Sequence, residues 1–179
     1  MSNQKILRAE HVARAIFLPG MLDSNGNVSL AAFSIRHNED YISVARMAVT
    51  SWLEDIRRIP TLPTRQLGGY CKLNVGDIRN LGFIYNKNNE VAFDVEDKAT
   101  AKNKSHAGIV LFFGEKTLKG DKTAVLKPLP TGVSATGLLM RIQAKLSQLA
   151  GKSYITIGNV FGDGDEGLVR GNAEVNDID

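Results

Sequence analysis

The chain has a single cysteine, Cys71, so no internal disulfide can form, and a reducing compartment is the natural setting for it. It has three histidines, His11, His37 and His106, and no Cys/His pair at the spacing of a tetrahedral zinc site. Long apolar runs are missing too. The longest, Ile109 to Phe113, has the length of a buried strand and falls far short of the roughly 18 residues that span a membrane. The opening residues place Arg8, Glu10 and His11 where a secretory signal needs an apolar stretch, so a cytoplasmic protein with no membrane partner is expected. No Gly-x-Ser-x-Gly elbow is present, and no serine can be matched to a His/Asp pair from spacing alone. The net charge of +3 is too small to indicate a nucleic-acid partner, although that class stays open.

What is present is an ordinary globular composition. With 179 residues, 43% of them hydrophobic and 23% charged, the chain can bury a substantial core in one domain. That domain is expected over residues 1–162, followed by an acidic, Gly/Asp-rich tail over 163–179.

Two segments carry a helical stripe. Ala45, Val49, Trp52, Leu53, Ile56 and Ile59 predict a helix from Ser43, as N-cap, to about Ile59, stopped by Pro60 and Pro63. Leu138, Leu139, Ile142, Leu146 and Leu149 predict another over Thr136 to Ala150, with Gly151 just past its end. The opening residues, Ile6 to Phe17, fit either a helix face or a short strand at Ala15 to Leu18. Asp23-Ser-Asn-Gly-Asn27 is a turn, and strands are expected at Val28–Ile35 and Asp40–Val44. Tyr70–Val75, Asn80–Tyr85 and Val91–Glu96 read as a meander, Ala107–Phe113 as a central strand and Tyr154–Phe161 as a last one. The segment from Asp97 to Ser105 reads as a polar loop. The class is α+β: a mainly antiparallel sheet, a meander plus further strands, with two principal helices.

Three stretches approach known chemistry. Gly114 to Thr123 resembles a phosphate-binding loop, but it has one residue too many between its glycines and sets Asp121 before the lysine, where phosphate would be repelled. Asp163 to Glu174 has the outline of a calcium loop but carries Gly167 and Leu168 where a ligand and a tight-turn glycine belong. The third is the alternating strand Val91 to Lys98. It puts Val91, Phe93 and Val95 on one face and Asp94, Glu96 and Lys98 on the other.

That strand resembles the PD-(D/E)xK nucleases, in which a helix, a three-stranded meander, a helix and a strand hold an Asp and a Glu-x-Lys. Here the matching residues are Asp77, Glu96 and Lys98. The resemblance implies that Asp77 and Glu96 hold Mg²⁺ while Lys98 orients the attacking water. Gly76 replaces the proline expected before Asp77, and Ala107 to Phe113 inserts an extra strand before the second helix. A second resemblance rests on Arg14-Ala-Ile-Phe-Leu-Pro19, Gly26-Asn-Val-Ser29, Ala32-Phe33, Ile42-Ser-Val44 and His106-Ala107. These motifs are similar to those of a set of uncharacterised small bacterial proteins. They imply a cytoplasmic protein from a mobile or defence locus, and no catalytic residues.

Two classes of function follow. One is a non-catalytic binding or accessory protein without a cofactor, meeting a protein partner through the basic loop of Lys98, Lys102 and Lys104. The other is the Mg-dependent nuclease of Asp77, Glu96 and Lys98. A pair of general acid–base histidines, His37 and His106, ranks behind both.

Overall fold

The computed structural model describes residues 4–35, 39–86, 89–115, 123–124 and 135–158. In chain order they form β1 (His11–Leu18), β2 (Tyr41–Arg46), α1 (Trp52–Arg57), β3 (Gln66–Asn74), α2 (Val75–Arg79), β4 (Phe83–Asn86), β5 (Asn89–Asp97), β6 (His106–Glu115), β7 (Thr123–Ala124), α3 (Ala135–Ala150) and β8 (Tyr154–Thr156). The strands join in one antiparallel sheet of order β4-β5-β6-β2-β1-β3-β8, with β7 beside the far end of β6. This is the α+β class that the pattern of strands and helical stripes predicts.

One face of the sheet carries Val12, Ile16, Ile42, Val44, Leu73, Val95, Ile109 and Leu111, all buried. Against it lie α3 and a short 3-10 turn at Leu30–Phe33, which bring Leu138, Ile142, Leu146 and Phe33 into the same apolar cluster. The turn is held to the helix end by Ser147 Oγ donating to the Val28 carbonyl at 2.6 Å and by the Val28 amide donating to Gly151 O at 2.9 Å. Gly151 has φ of +50°, the left-handed conformation that ends α3 at little cost for glycine. The opposite face is covered only in part, by α1, where Trp52 packs edge-on against Tyr70.

Several expectations change here. The helix expected from Ser43 to Ile59 shrinks to Trp52–Arg57, because Tyr41–Arg46 is taken up as a strand between β6 and β1. Among the described residues α3 is therefore the one long helix. The strand expected at Val28–Ile35 is instead the 3-10 turn. The ambiguous opening resolves as β1, longer than the strand expected there. The first strand of the expected meander pairs with β1, not with β4; the observed meander is β4-β5-β6. Between β3 and β4 the chain makes α2, a single turn capped by Asn74 Oδ1 accepting from the Asp77 amide at 3.1 Å. The Asp23 turn forms as expected, with its carboxylate accepting the amides of Asn25 and Asn27. The lysine-rich segment 116–122, most of the phosphate-loop look-alike, and the whole of the tail 163–179 lie outside the described residues.

Candidate functional site

The sheet has a seam. β1 follows β3 along its whole length, and β2 follows β6 from Tyr41–Val110 to Ala45–His106. Between them β1 and β2 pair only at Val12–Arg46 and Ala13–Ala45. Past that point the strands part, and backbone groups facing the gap need other partners. Arg14 supplies them: its Nε donates to the Ala32 carbonyl and its Nη1 to the Ser43 carbonyl, both at 2.7 Å. A guanidinium is suited to this bridge because its donors lie in one rigid plane and hydrogen bonds from a charged donor are strong.

On the partly covered face the seam opens into a half-open cavity of about 130 Å³ beneath α1. Its floor is unusually low. Ala13, Ala15 and Ala45 stand where larger side chains would meet the helix, and Phe17, Ile56 and Ile59 complete the apolar lining. Polar groups enter from Ser43, Asp55, Asn103 and His106. Arg65 also lines it, with its guanidinium 4.1 Å from the centre of the Phe17 ring.

His106 lies on the wall common to this cavity and to an open groove lined by Tyr41, Asp94, Glu96 and Lys98. Its Nε2 is 3.3 Å from Ser43 Oγ, and the Tyr41 ring sits 5.7 Å away, centre to centre. Gly108 makes room for that ring, since a Cβ at this position would come within 2.7 Å of Tyr41 Cδ2. Burial lowers the pKa of His106, against a hydrogen bond to the Lys98 backbone and the charges of Glu39 and Asp97, which pull it up. The imidazole is thus held neutral near pH 7, and Nε2 is free to accept the Ser43 hydroxyl proton.

Asp55 is the acidic residue of the cavity wall, and only 6% of it is exposed. Its Oδ2 accepts three hydrogen bonds: from the Ser105 amide at 3.1 Å, Ser105 Oγ at 2.7 Å and Ser51 Oγ at 3.0 Å. Burial raises its pKa, but the Ser105 and Ser51 bonds and the nearby Arg58 outweigh that effect and hold Asp55 below the ordinary carboxylate value. These bonds also fix the loop expected to be a loose polar connection. Thr100 and Asn103 close it with paired backbone hydrogen bonds of 2.9 and 3.2 Å.

The residues singled out from sequence are distributed differently. The alternation of β5 forms as read, with Val91, Phe93 and Val95 buried. On its other face Glu96 accepts from Lys98 Nζ at 3.1 Å, and Asp94 accepts from Arg79 Nε at 2.6 Å. Lys98 also lies 5.2 Å from the Tyr41 ring centre. Asp77 is exposed on α2 and does not line the groove that holds Glu96 and Lys98. Among the described residues no three His, Cys, Asp or Glu side chains gather as a metal-binding group, and the pairing of Glu96 with Lys98 fits an ion pair better than a Mg²⁺ ligand. Lys102 and Lys104 are exposed on the loop before β6. His37 lies outside the described residues. Cys71 is fully buried in β3, and burial pushes its thiol up to about 12, which makes it inert as a nucleophile.

Sequence reasoning did not single out Ser43, Asp55 or Arg14 as a site. A signal did exist: Arg14, Ala32, Ser43 and His106 each sit in one of the short motifs noted in the sequence, and in the fold they meet across the seam. No family model, no curated protein and no solved structure matches the chain. Among the described residues no helix is long and apolar enough to cross a membrane.

Proposed function

We propose that this protein is a non-catalytic binding protein whose site is the cavity under α1, entered past His106 from the groove. The observation that carries the reading is the hollow itself. An interior packs to the density of an organic crystal, and three alanines facing a helix leave about 130 Å³ that a routine core would fill. The lining joins an apolar floor to a few convergent polar groups, the make-up of small-molecule sites. A binding rather than a catalytic role is supported by where the ionised groups are spent. Asp94 is paired with Arg79, Glu96 with Lys98, and Arg46 with Glu10, so these charges hold the fold.

The test is a thermal-shift titration with ring-sized molecules, beginning with benzene, on the wild-type chain and on Ala15→Leu. A ligand that binds only the folded state raises Tm as its concentration passes Kd. The expected result is a concentration-dependent rise for the wild type and none for Ala15→Leu, whose side chain fills the hollow. If no ring-sized molecule stabilises the wild type, or if Ala15→Leu responds equally, the cavity is not a binding site.

A further inference from the structure

Spacing alone matches no serine of this chain to a histidine, but the pairing of β2 with β6 does. Ser43 lies opposite Gly108 and Ala45 opposite His106, so Ser43 and His106 are diagonal neighbours on the cavity face of the sheet. Ser43 Oγ and His106 Nε2 are 3.3 Å apart, within the range of a nucleophile and its base before a substrate tightens the pair.

The surroundings hold both side chains in place. β6 fixes the Ser43 backbone through its pairing with Gly108, and Arg14 fixes it from the seam by donating to the Ser43 carbonyl at 2.7 Å. With Nε2 turned to Ser43, the ring's hydrogen bond to the Lys98 backbone falls to Nδ1, whose N–H donates to a carbonyl. That bond selects the tautomer in which Nε2 carries the lone pair. Burial keeps His106 neutral near pH 7, the state a general base needs. A hydroxyl, a base and an acceptor that orients the base, set beside a cavity, are the parts of an acyl-transfer site. The charges that hold the fold do not include them, because both side chains are neutral.

We propose that Ser43 is an acyl acceptor, taking a short acyl group from an activated ester that enters the cavity past His106, with His106 as general base. Ser43 Oγ forms a bond to the ester carbonyl carbon as its hydroxyl proton passes to His106 Nε2. The bond from that carbon to the leaving oxygen then breaks, and His106 returns the proton to that oxygen, releasing an alcohol. The serine ester left behind is one covalent event per chain, an extension of binding rather than turnover. A hollow of about 130 Å³ accommodates an acyl group of a few carbons. The inference rests on the binding reading above, which supplies the cavity, and adds the ligand class and its chemistry.

The probe is para-nitrophenyl acetate, with a small acyl group and a good leaving group. The full chain is incubated with it near pH 7, the reaction is stopped with acid, and acetylated residues are identified by peptide mass mapping. Ser43 is expected to be acetylated in the wild type. The rate should drop at least about a hundredfold in His106→Gln, the low end of what a general base supplies. It should drop as well in Ala15→Leu, whose side chain fills the hollow. Acetylation confined to lysines or the N-terminus overturns the inference, as does an unchanged rate at Ser43 in either variant. If His106→Gln does not fold, the pH profile of the wild type decides. Acetylation of Ser43 should be level above about pH 6.5 and fall only below it, where the imidazole takes up its proton. A rate that climbs steadily with pH, as an unassisted hydroxyl gives, overturns the assignment. If benzene binds while Ser43 stays unacetylated, the acyl acceptor falls and the binding reading stands. Failure of both removes the two together.

Discussion

The two faces of this sheet are built from the same strands and solve opposite problems. On the α3 side Val12, Ile16, Ile42, Val44, Ile109 and Leu111 meet a sixteen-residue helix, and large apolar side chains exclude water. On the α1 side the neighbouring residues of the same strands are Ala13, Ala15, Ser43, Ala45, His106 and Gly108, under a helix of six residues. Because side chains alternate along a strand, one backbone presents a packing surface and a hollow back to back. The lesson is that the hollow needs the packed face: a site of small and polar residues contributes little burial, so the opposite side must supply the stability that holds it open.

If that division is right, the largest loss of stability should come from the α3 side. Leu146 is fully buried there, and Leu146→Ala is expected to cost about 3 kcal/mol in urea unfolding. A cost under about 1 kcal/mol, the scale of a partly exposed site, would mean that the packed face is not what carries the fold.

Arg14 joins the two halves of the sheet at the seam. Arg14→Met keeps the length of the stem and removes both carbonyl bonds, with an expected cost of about 2 kcal/mol. The amides around Ser43 and Ala32 should exchange faster with solvent in this variant, by hydrogen-exchange mass spectrometry. Unchanged exchange at both segments would show that the strands are held together elsewhere.

A matched pair of substitutions then compares the faces directly. Ala107 is fully buried on the α3 side, and Ala107→Val should destabilise by about 1–2 kcal/mol through overpacking. Ala45→Val adds the same two methyl groups beside the cavity, and it should change stability by less than about 0.5 kcal/mol or raise it. Equal penalties for the two would erase the distinction between a dense and a hollow side.

The smallest effect expected is a pH dependence. Burial lowers the pKa of His106 in the folded chain, so below about pH 6.5 the unfolded chain takes up a proton that the folded chain resists. Stability should therefore fall as pH drops from about 7 toward 5, down to the lowered folded pKa, and His106→Gln should show a shallower fall. Parallel Tm–pH curves for wild type and variant would remove His106 from the account.

Local patterns legible in the sequence are those whose period matches their burial. The stripe Leu138–Ile142–Leu146 lies on α3, the alternation Val91–Phe93–Val95 lies on β5, and the Asp23 turn closes through its own side chain. The segment from Ser43 to Ile59 misleads because its first apolar residues satisfy a helical spacing and a strand equally well. The choice was made by β6, whose long apolar run needs a partner on each side and recruits Tyr41–Arg46. Asp94, Glu96 and Lys98 drew attention because they stand close in sequence, while the groups that gather around the cavity are scattered from Ala13 to His106. Alanines on a strand give no local sign of a void, since a void is a property of what faces them.

Composition and periodicity alone therefore determined the class of the fold, the long helix, the strand with two unlike faces and the inert state of Cys71. These depend on interactions between residues near one another, or on the single fact of burial. Tertiary structure alone decided where β1 and β2 part, that Arg14 bridges them, and that Ser43, His106 and Asp55 share one wall-lined space. The reason is physical: a seam and a cavity arise from the pairing of distant strands, and no residue carries that pairing in its own neighbourhood.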